Sequence, residues 1–307
     1  MKIAISGGTG FIGKHITQYF LNKGHDVYIL TRSQKTSSEK NLHFVQWRSK
    51  TSNPAESLEG VDVIINLAGK SINNRWTEAT KKQIVESRIE STKEIYAIIN
   101  ALSKKPSVFI HASAIGIYGT SLTKTFTEGS NETGSDFLAK TVEVWEKEAR
   151  KVETLHVRTV CTRFGIVLGE EGALSKMVLP YRLFAGGNLG SGQQWVSWIH
   201  VMDLVRLMEH IIDSTISGPV NAVSPNPVKM NQFGKTIGNV LKRPHWLPAP
   251  SFALKMLLGE MSLLILEGQK VLPEKALDDG FTFTFPHLEK ALQDILISNY
   301  QSGKQGV

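Results

Sequence analysis

Short apolar segments alternate with amphipathic segments along the first 165 residues of the chain. Their pattern predicts buried strands at 2–6, 26–32, 42–47, 61–69, 107–114 and 153–159. Helical periodicity follows in 10–24, 77–103 and 135–150, and Gly24 is placed to end the first helix. Strand–helix units repeated in this way predict an α/β fold built on a doubly wound parallel sheet.

The pattern changes after residue 165, where glycine-rich and proline-rich stretches separate shorter elements. We therefore predict a main domain over 1–165, with return segments around 194–224, and a smaller C-terminal lobe over 166–307. The most apolar late segment, 252–268, contains Lys255 and Glu260. It is too short and too charged for a membrane span, and we expect an amphipathic core or interface helix.

Charge and composition narrow the range of functions. The net charge is +7, but the basic residues are scattered, which argues against nucleic acid as a partner. Cys161 is alone, so neither a disulfide framework nor a cysteine metal site is expected, and no other metal-ligand spacing is present. The N-terminal segment lacks signal-peptide features, so we expect a cytoplasmic protein without membrane contact. The expected partner is a small-molecule substrate.

Three spaced glycines mark the junction of the first strand and the first helix. Gly7, Gly10 and Gly13 have the spacing G-x-x-G-x-x-G. Glycines here let the backbone turn tightly and approach a pyrophosphate, which then sits at the helix N-terminus. The strand–loop–helix context makes a dinucleotide site more probable than an empty turn and predicts a Rossmann-type sheet.

The end of the second strand distinguishes the two nicotinamide cofactors. An NAD enzyme usually carries an acidic residue there, whereas this sequence has Thr31 and Arg32. A guanidinium suits a 2′-phosphate, so we predict NADP(H), the alternative being a surface arginine without a role. "NLAG" (66–69) ends the fourth strand, and its small residues permit close approach to the cofactor riboses.

These motifs resemble those of a known superfamily. The glycine loop, "NLAG" and "SAIGIYG" (113–119) look like the extended short-chain dehydrogenases/reductases, which include nucleotide-sugar epimerases and dehydratases. The finer resemblance is to an atypical branch called "epimerase family protein", carried by "SR" (87–88), "DFLA" (136–139) with "WE" (145–146), "RFGIVLG" (163–169) and "EGQKVLPEKALDDGFTF" (267–283). It implies an NADP(H)-binding Rossmann domain with a C-terminal lobe of unknown function.

The predicted cofactor contacts combine the loop, the strand ends and the "SR" motif. They are Gly7, Thr9, Gly10, Phe11, Ile12, Gly13, Thr31, Arg32, Leu67, Ala68, Gly69 and Arg88. Arg88 enters this set because the resemblance favours a functional role for it over a surface role.

Two features depart from the wider superfamily. Its catalytic Tyr-x-x-x-Lys pair is replaced by Phe137 and Thr141 when "WE" sets the frame, and Phe cannot donate a proton. A frame shifted by one pairs Asp136 with Lys140 but restores no phenol. Val196 occupies the slot of an arginine that binds the substrate pyrophosphate in nucleotide-sugar epimerases, which argues against a nucleotide-sugar substrate.

Ser113 and Tyr118 are the candidate catalytic residues. Ser113 ends the fifth strand near the superfamily's catalytic Ser/Thr slot, although the closest register places Ala114 there, and it could instead cap the following turn. Tyr118 could be a displaced acid, but a wall residue is the favoured interpretation. His200, in an alternating strand pattern, is expected to be a core histidine rather than a base.

Two functions fit these observations. The first, which we favour, is an NADP(H)-dependent oxidoreductase of the atypical short-chain type that acts on an unidentified small substrate. Its proton would come from Ser113, Tyr118 or an ordered water. The second is a non-catalytic NADP(H)-binding regulator whose C-terminal lobe contacts a partner. The sequence assigns no oligomeric state.

Overall fold

A computed structural model of the chain describes residues 1–49 and 52–298. The last nine residues of the predicted C-terminal lobe, 299–307, lie outside the described residues.

Short strands and helices alternate through the described residues. The strands are β1 (Lys2–Ser6), β2 (Asp26–Thr31), β3 (Leu42–Gln46), β4 (Val63–Asn66), β5 (Val108–Ala114), β6 (Thr125–Phe126), β7 (Arg158–Phe164), β8 (Ile166–Leu168), β9 (Trp195–Val196), β10 (Trp198–His200), β11 (Gly218–Ala222), β12 (Val228–Lys229) and β13 (Lys270–Val271). The α-helices are α1 (Phe11–Asn22), α2 (Pro54–Ser57), α3 (Glu78–Ala101), α4 (Phe137–Arg150), α5 (Ala173–Arg182), α6 (Val201–Asp213), α7 (Met230–Leu241), α8 (Ser251–Leu258), α9 (Leu263–Leu266), α10 (Glu274–Asp278) and α11 (Leu288–Gln293). Three 3₁₀ turns (Ile115–Tyr118, Lys151–Leu155 and Gly259–Ser262) and a π-helical turn (Asp294–Ser298) complete the set.

A seven-stranded sheet has the order β11-β7-β5-β4-β1-β2-β3. The pairs β1–β2, β1–β4, β2–β3 and β4–β5 are parallel. The strand order reverses between β1 and β4, and ligands of doubly wound sheets bind outside the carboxyl ends of the strands at such a reversal. The predicted doubly wound parallel sheet is confirmed, and its reversal point directs attention to Ser6 and Asn66.

The chain divides into two compact units, each assembled from three separate stretches. The first unit contains residues 1–114, 140–163 and 205–220. The second contains residues 115–139, 164–204 and the chain from 221 onward.

The core of the first unit lies between the sheet and its flanking helices. Ile64 and Phe109 of the sheet are fully buried, as are Ile95 and Ile99 on one stripe of α3. This burial explains why β4 and β5 are apolar without interruption, as parallel strands covered on both faces are. Cys161 on β7 lies in the same core, and burial raises the pKa of its thiol.

The second unit has its own core. Helices α5, α7 and α11 pack around Trp198 and Phe233, both fully buried. His200 is buried here too, with its ring 3.9 Å from that of Phe285 and its Nδ1 accepting a hydrogen bond from the Met202 backbone N–H. The predicted core position of His200 is therefore confirmed.

Two predicted elements were wrong. Residues 153–159 do not form the sixth strand, because Lys151–Leu155 is a 3₁₀ turn and His156 adopts φ 60°, so that β7 begins only at Arg158. Residues 252–268 do not form one helix either. Gly259, at φ 59°, ends α8, and a 3₁₀ turn separates it from α9. A left-handed conformation is readily adopted by glycine and cannot continue a helix.

Helix α8 presents an apolar surface to solvent. Phe252, Met256 and Leu257 are all more than 70% exposed. No helix within the described residues combines the length and apolar character needed to cross a bilayer.

We expect Phe109→Ala to lower the free energy of unfolding by about 3–5 kcal/mol, since a fully buried ring is removed from a close-packed core. Urea denaturation measures the change. The matched control is Phe252→Ala on α8, where the ring is 74% exposed and the expected change is below about 0.5 kcal/mol. Equal losses in both variants would contradict the assigned core.

Candidate functional site

The turn after β1 depends on glycine at its first position. Gly7 has φ 75°, and a Cβ there would lie 3.0 Å from the carbonyl carbon and oxygen of Leu67. Leu67 follows β4, so the loops after the two strands at the reversal point are in close contact. A side chain at Gly7 would force them apart, which accounts for the first glycine of the motif.

The other two motif glycines serve different purposes. A Cβ on Gly13 would collide with the carbonyl oxygen of Gly7 and the Cα of Gly8, so Gly13 lets α1 pack onto the loop. At Gly10 only the Gly7 carbonyl oxygen, at 3.3 Å, would be near a Cβ. Gly10 is exposed and precedes α1, whose first turn has neither an acidic residue nor a side-chain cap. Its N–H groups therefore suit an anion, as a dinucleotide pyrophosphate requires.

The remaining predicted residues of this loop line the start of α1. Thr9 is exposed, and Phe11 and Ile12 are half-buried. The Phe11 ring packs edge-on against that of His15, with centroids 5.4 Å apart.

The end of β2 offers a cation and no acid. Arg32 is exposed, and within residues 1–49 and 52–298 no carboxylate forms a salt bridge with its guanidinium. The neighbouring Thr31 is buried, and its hydroxyl donates a hydrogen bond to the Ser33 carbonyl at 2.7 Å. The Gln46 amide donates to the Arg32 carbonyl at 3.2 Å, which fixes the backbone from which Arg32 extends. Thr31 therefore shapes the turn, while Arg32 is available for a phosphate.

The end of β4 is organised by an asparagine that the sequence did not single out. Asn66 Oδ1 accepts hydrogen bonds from the Ser6 hydroxyl at 2.5 Å and from the Ala68 N–H at 3.2 Å. Its Nδ2 donates to His111 Nδ1 on β5 at 3.1 Å. One buried amide thus joins the ends of β1 and β4 to the middle of β5. The sequence signal that could have identified Asn66 is a polar residue at the end of a fully apolar strand.

His111 stays neutral in this position. Burial, followed by the nearby Arg88 charge, lowers the pKa of His111 to about 3. Because Nδ1 accepts from Asn66, the ring proton resides on Nε2. At neutral pH this histidine is a hydrogen-bond acceptor for Asn66 and not an acid.

Side chains of helix α3 fix the loop after β4 through hydrogen bonds. Arg88 donates to the Lys70 carbonyl at 3.0 Å and to the Ile84 carbonyl at 3.1 Å. Its guanidinium carbon lies 4.9 Å from the centroid of the Trp145 ring, and burial lowers the pKa of Arg88 to about 10.

Other side chains of α3 support the same loop. Ser87 accepts a hydrogen bond from the Lys70 N–H, and Ser91 donates to the Ala68 carbonyl. Ala68 is half-buried and Gly69 is exposed. A Cβ on Gly69 would lie 3.4 Å from Arg88, so the predicted contacts Leu67, Ala68, Gly69 and Arg88 form one packed group.

Ser113 belongs to a buried ionic network in the first unit. Its hydroxyl donates to Glu146 Oε1 at 2.6 Å. Glu146 is also bound by Arg163, through Nε at 2.8 Å and Nη2 at 2.9 Å. Glu146 is the acidic residue of "WE", the motif that fixed the register of the Tyr-x-x-x-Lys positions in the sequence. The sequence signal that could have identified Glu146 is a carboxylate next to Trp145, which is itself buried.

Tyr118 lies in the second unit and its hydroxyl is also engaged. It donates to Asn221 Oδ1 at 2.8 Å, and its ring stacks on Phe126 with centroids 5.3 Å apart. The side chain is buried. Its surroundings match the predicted wall residue more closely than an exposed acid.

Neither frame of α4 contains a tyrosine–lysine pair. Asp136 Oδ1 accepts from the Leu138 and Ala139 N–H groups, so this carboxylate caps the helix. Lys140 is exposed and Thr141 is buried.

Sequence comparison assigns both parts of the chain to described families. Residues 3–223 match the NAD dependent epimerase/dehydratase family. Residues 249–295 match a domain of unknown function, DUF1731. Epimerase family protein YfhF of Bacillus subtilis (strain 168) is 52% identical over 297 residues, covering 96% of this chain and 98% of that protein. Epimerase family protein SA0724 of Staphylococcus aureus (strain N315) is 40% identical over 294 residues, covering 95% and 98%.

A solved structure matches the fold over nearly the whole chain. It is the crystal structure of human epimerase family protein SDR39U1 (isoform2) with NADPH. The TM-score is 0.85 at 32% identity, with 96% of this chain and 99% of that chain covered. The predicted resemblance to the epimerase family protein branch is confirmed by these matches.

We expect Gly10→Ala and Gly13→Ala to separate cofactor binding from stability. The Gly10 backbone (φ −79°) accepts alanine, so unfolding should be nearly unchanged while NADPH affinity falls about tenfold or more, because a methyl group blocks the anion. Gly13→Ala should destabilise the chain by about 1–3 kcal/mol through overpacking. Urea unfolding and NADPH fluorescence titration measure the two effects. Unchanged NADPH affinity in Gly10→Ala would contradict a pyrophosphate at this loop.

Proposed function

The chain belongs to the NAD dependent epimerase/dehydratase family, and from that premise we propose that it is an NADP(H)-binding oxidoreductase acting on a small substrate. The observation that carries the proposal is the combination of the glycine loop with Arg32 and no acidic residue at the end of β2. The NADPH bound to human SDR39U1 supports the same choice of cofactor.

The first unit would hold the cofactor. Gly10 and the N-terminus of α1 would receive the pyrophosphate, and Arg32 would pair with the 2′-phosphate. Leu67–Gly69 would border the riboses, because Ser87, Arg88 and Ser91 fix the course of that loop. When bound, the nicotinamide supplies or accepts the hydride. The second unit would carry substrate-binding residues.

A proton must then move through a hydroxyl or an ordered water. Ser113 would have to release Glu146 before donating to a substrate, and Tyr118 would have to release Asn221. Arg163 would keep Glu146 in place during such a rotation, because it binds both carboxylate oxygens. Ser113 and Tyr118 are therefore proposed as proton donors in a rearranged state, with loss of the usual tyrosine slowing catalysis about 10²–10⁴-fold.

A non-catalytic NADP(H)-binding regulator is the second candidate. It is favoured by the engagement of both candidate hydroxyls and by the apolar surface of α8. An exposed apolar surface of this kind suits a protein partner.

We expect Arg32→Gln to weaken NADPH binding about 10–100-fold, since a charge-assisted hydrogen bond to phosphate is lost. NADH affinity should stay within a factor of about two, because NADH lacks the 2′-phosphate. Fluorescence titration with both cofactors measures the ratio. Lys40→Gln, at another exposed cation after β2, is the matched control. Equal affinity of the unaltered protein for NADH and NADPH would contradict the role of Arg32.

Oxidation of NADPH in the presence of a panel of carbonyl and quinone compounds tests the oxidoreductase itself. We expect substrate-dependent turnover, with kcat reduced about 10²-fold or more in Ser113→Ala or Tyr118→Phe. The control variants are Ser37→Ala, at an exposed hydroxyl, and Tyr96→Phe on α3. Tight NADPH binding without turnover across the panel would favour the regulator.

A further inference from the structure

Two lysines flank Trp195 in the second unit. Lys229 is the cross-strand partner of Trp195 in the antiparallel pair of β12 and β9. The Lys229 Nζ lies 3.9 Å from the centroid of the indole ring, and Lys270 Nζ lies 5.3 Å from it. Both distances are within the range of a cation–π interaction. Trp195 thus makes cation–π contacts with two ammonium groups.

The indole itself is held in place. Trp195 Nε1 donates to the Leu122 carbonyl at 2.9 Å, and Lys229 Nζ donates to the same carbonyl at 3.3 Å. The shared Leu122 carbonyl fixes the Trp195 ring and the Lys229 ammonium group relative to each other.

The two positive charges have no acidic counterpart in the part of the chain that the structure describes. No carboxylate there forms a salt bridge with Lys229 or Lys270. Burial, and then the charge of Lys270, lowers the pKa of Lys229. Two neighbouring like charges disfavour each other, and an anion bound at Lys270 would relieve that repulsion.

A cavity of about 810 Å³ has Lys270, but not Lys229, in its lining. Trp195 and Lys270 line one part of it, and Pro225, Pro227 and Leu272 supply apolar walls. The volume lies within the range of small-molecule sites, which combine apolar walls with a few fixed polar groups. Glu289 also lines the cavity, so a ligand would bring a hydrogen-bond donor toward that side and its anion toward Lys270.

We propose that this cavity binds a small phosphorylated molecule with an apolar body. The phosphate dianion lies against Lys270, the Lys229 ammonium on the same indole ring adds to the positive potential there, and the body packs on Pro225, Pro227 and Leu272. The site lies wholly within the second unit and is independent of the proposed oxidoreductase activity. A phosphate monoester fits better than a monocarboxylate, because a dianion is attracted more strongly than a monoanion by Lys270 together with the neighbouring Lys229 charge.

Isothermal titration calorimetry with phenyl phosphate tests the proposal. Saturating NADP⁺ is added first, so that the phosphate-binding loop of the first unit is occupied. We expect one-to-one binding that weakens about tenfold or more in Lys270→Met and further in the Lys229→Met/Lys270→Met double variant. Lys235→Met, at an exposed lysine on α7, should bind as the unaltered protein does. Phenol should not bind, and benzoate should bind more weakly than phenyl phosphate.

Chemical protection supplies a second measurement that needs no variant. Phenyl phosphate should slow acetylation of Lys270 by acetic anhydride several-fold while leaving Lys235 unprotected, as read by mass spectrometry. Absence of binding by phenyl phosphate, or equal binding by the double variant, would overturn the proposal. Benzoate binding as tightly as phenyl phosphate would overturn the choice of a phosphate.

Discussion

The buried amide of Asn66 is the interaction on which the candidate cofactor site depends. It accepts from Ser6 and Ala68 and donates to His111, so the ends of β1 and β4 are fixed to each other and to the middle of β5. Each buried polar group in this network is costly to leave without a partner, by about 1–3 kcal/mol. The contact between Gly7 and Leu67, and the course of the loop above α3, follow from that arrangement.

Much of this fold could be predicted from the sequence, because most strands and helices are determined by residues that are close together in the chain. The apolar strands β1, β4 and β5 and the glycine turn follow from residues adjacent in sequence. Contacts between distant residues were not predictable, since Asn66 meets His111 across 45 positions and Ser113 meets Glu146 across 33. No periodicity identifies such partners. The misplaced strand at 153–159 shows the same limit, because apolar content alone does not locate the left-handed turn at His156.

Helix α4 shows how an element can be retained after its usual chemistry is absent. Phe137 and Thr141 stand where an acid and an ammonium are expected, yet Glu146 on the same helix binds Ser113 of β5 and Arg163 of β7. Trp145 donates to Thr92 of α3 and lies beneath Arg88. The helix therefore connects two strands and a second helix through polar contacts. Such contacts constrain its position independently of any role in proton transfer.

The thiol of Cys161 can be used to measure local opening of the first unit. The chain has one cysteine, and it lies in the core beside Phe109 and Ile64 with its thiol pKa raised by burial. A protonated, covered thiol does not react with maleimides or disulfides in the closed sheet. Its labelling rate therefore measures how often β7 separates from the layers that cover it. Bound dinucleotide would slow that rate without touching the cysteine, by stabilising the closed sheet alone.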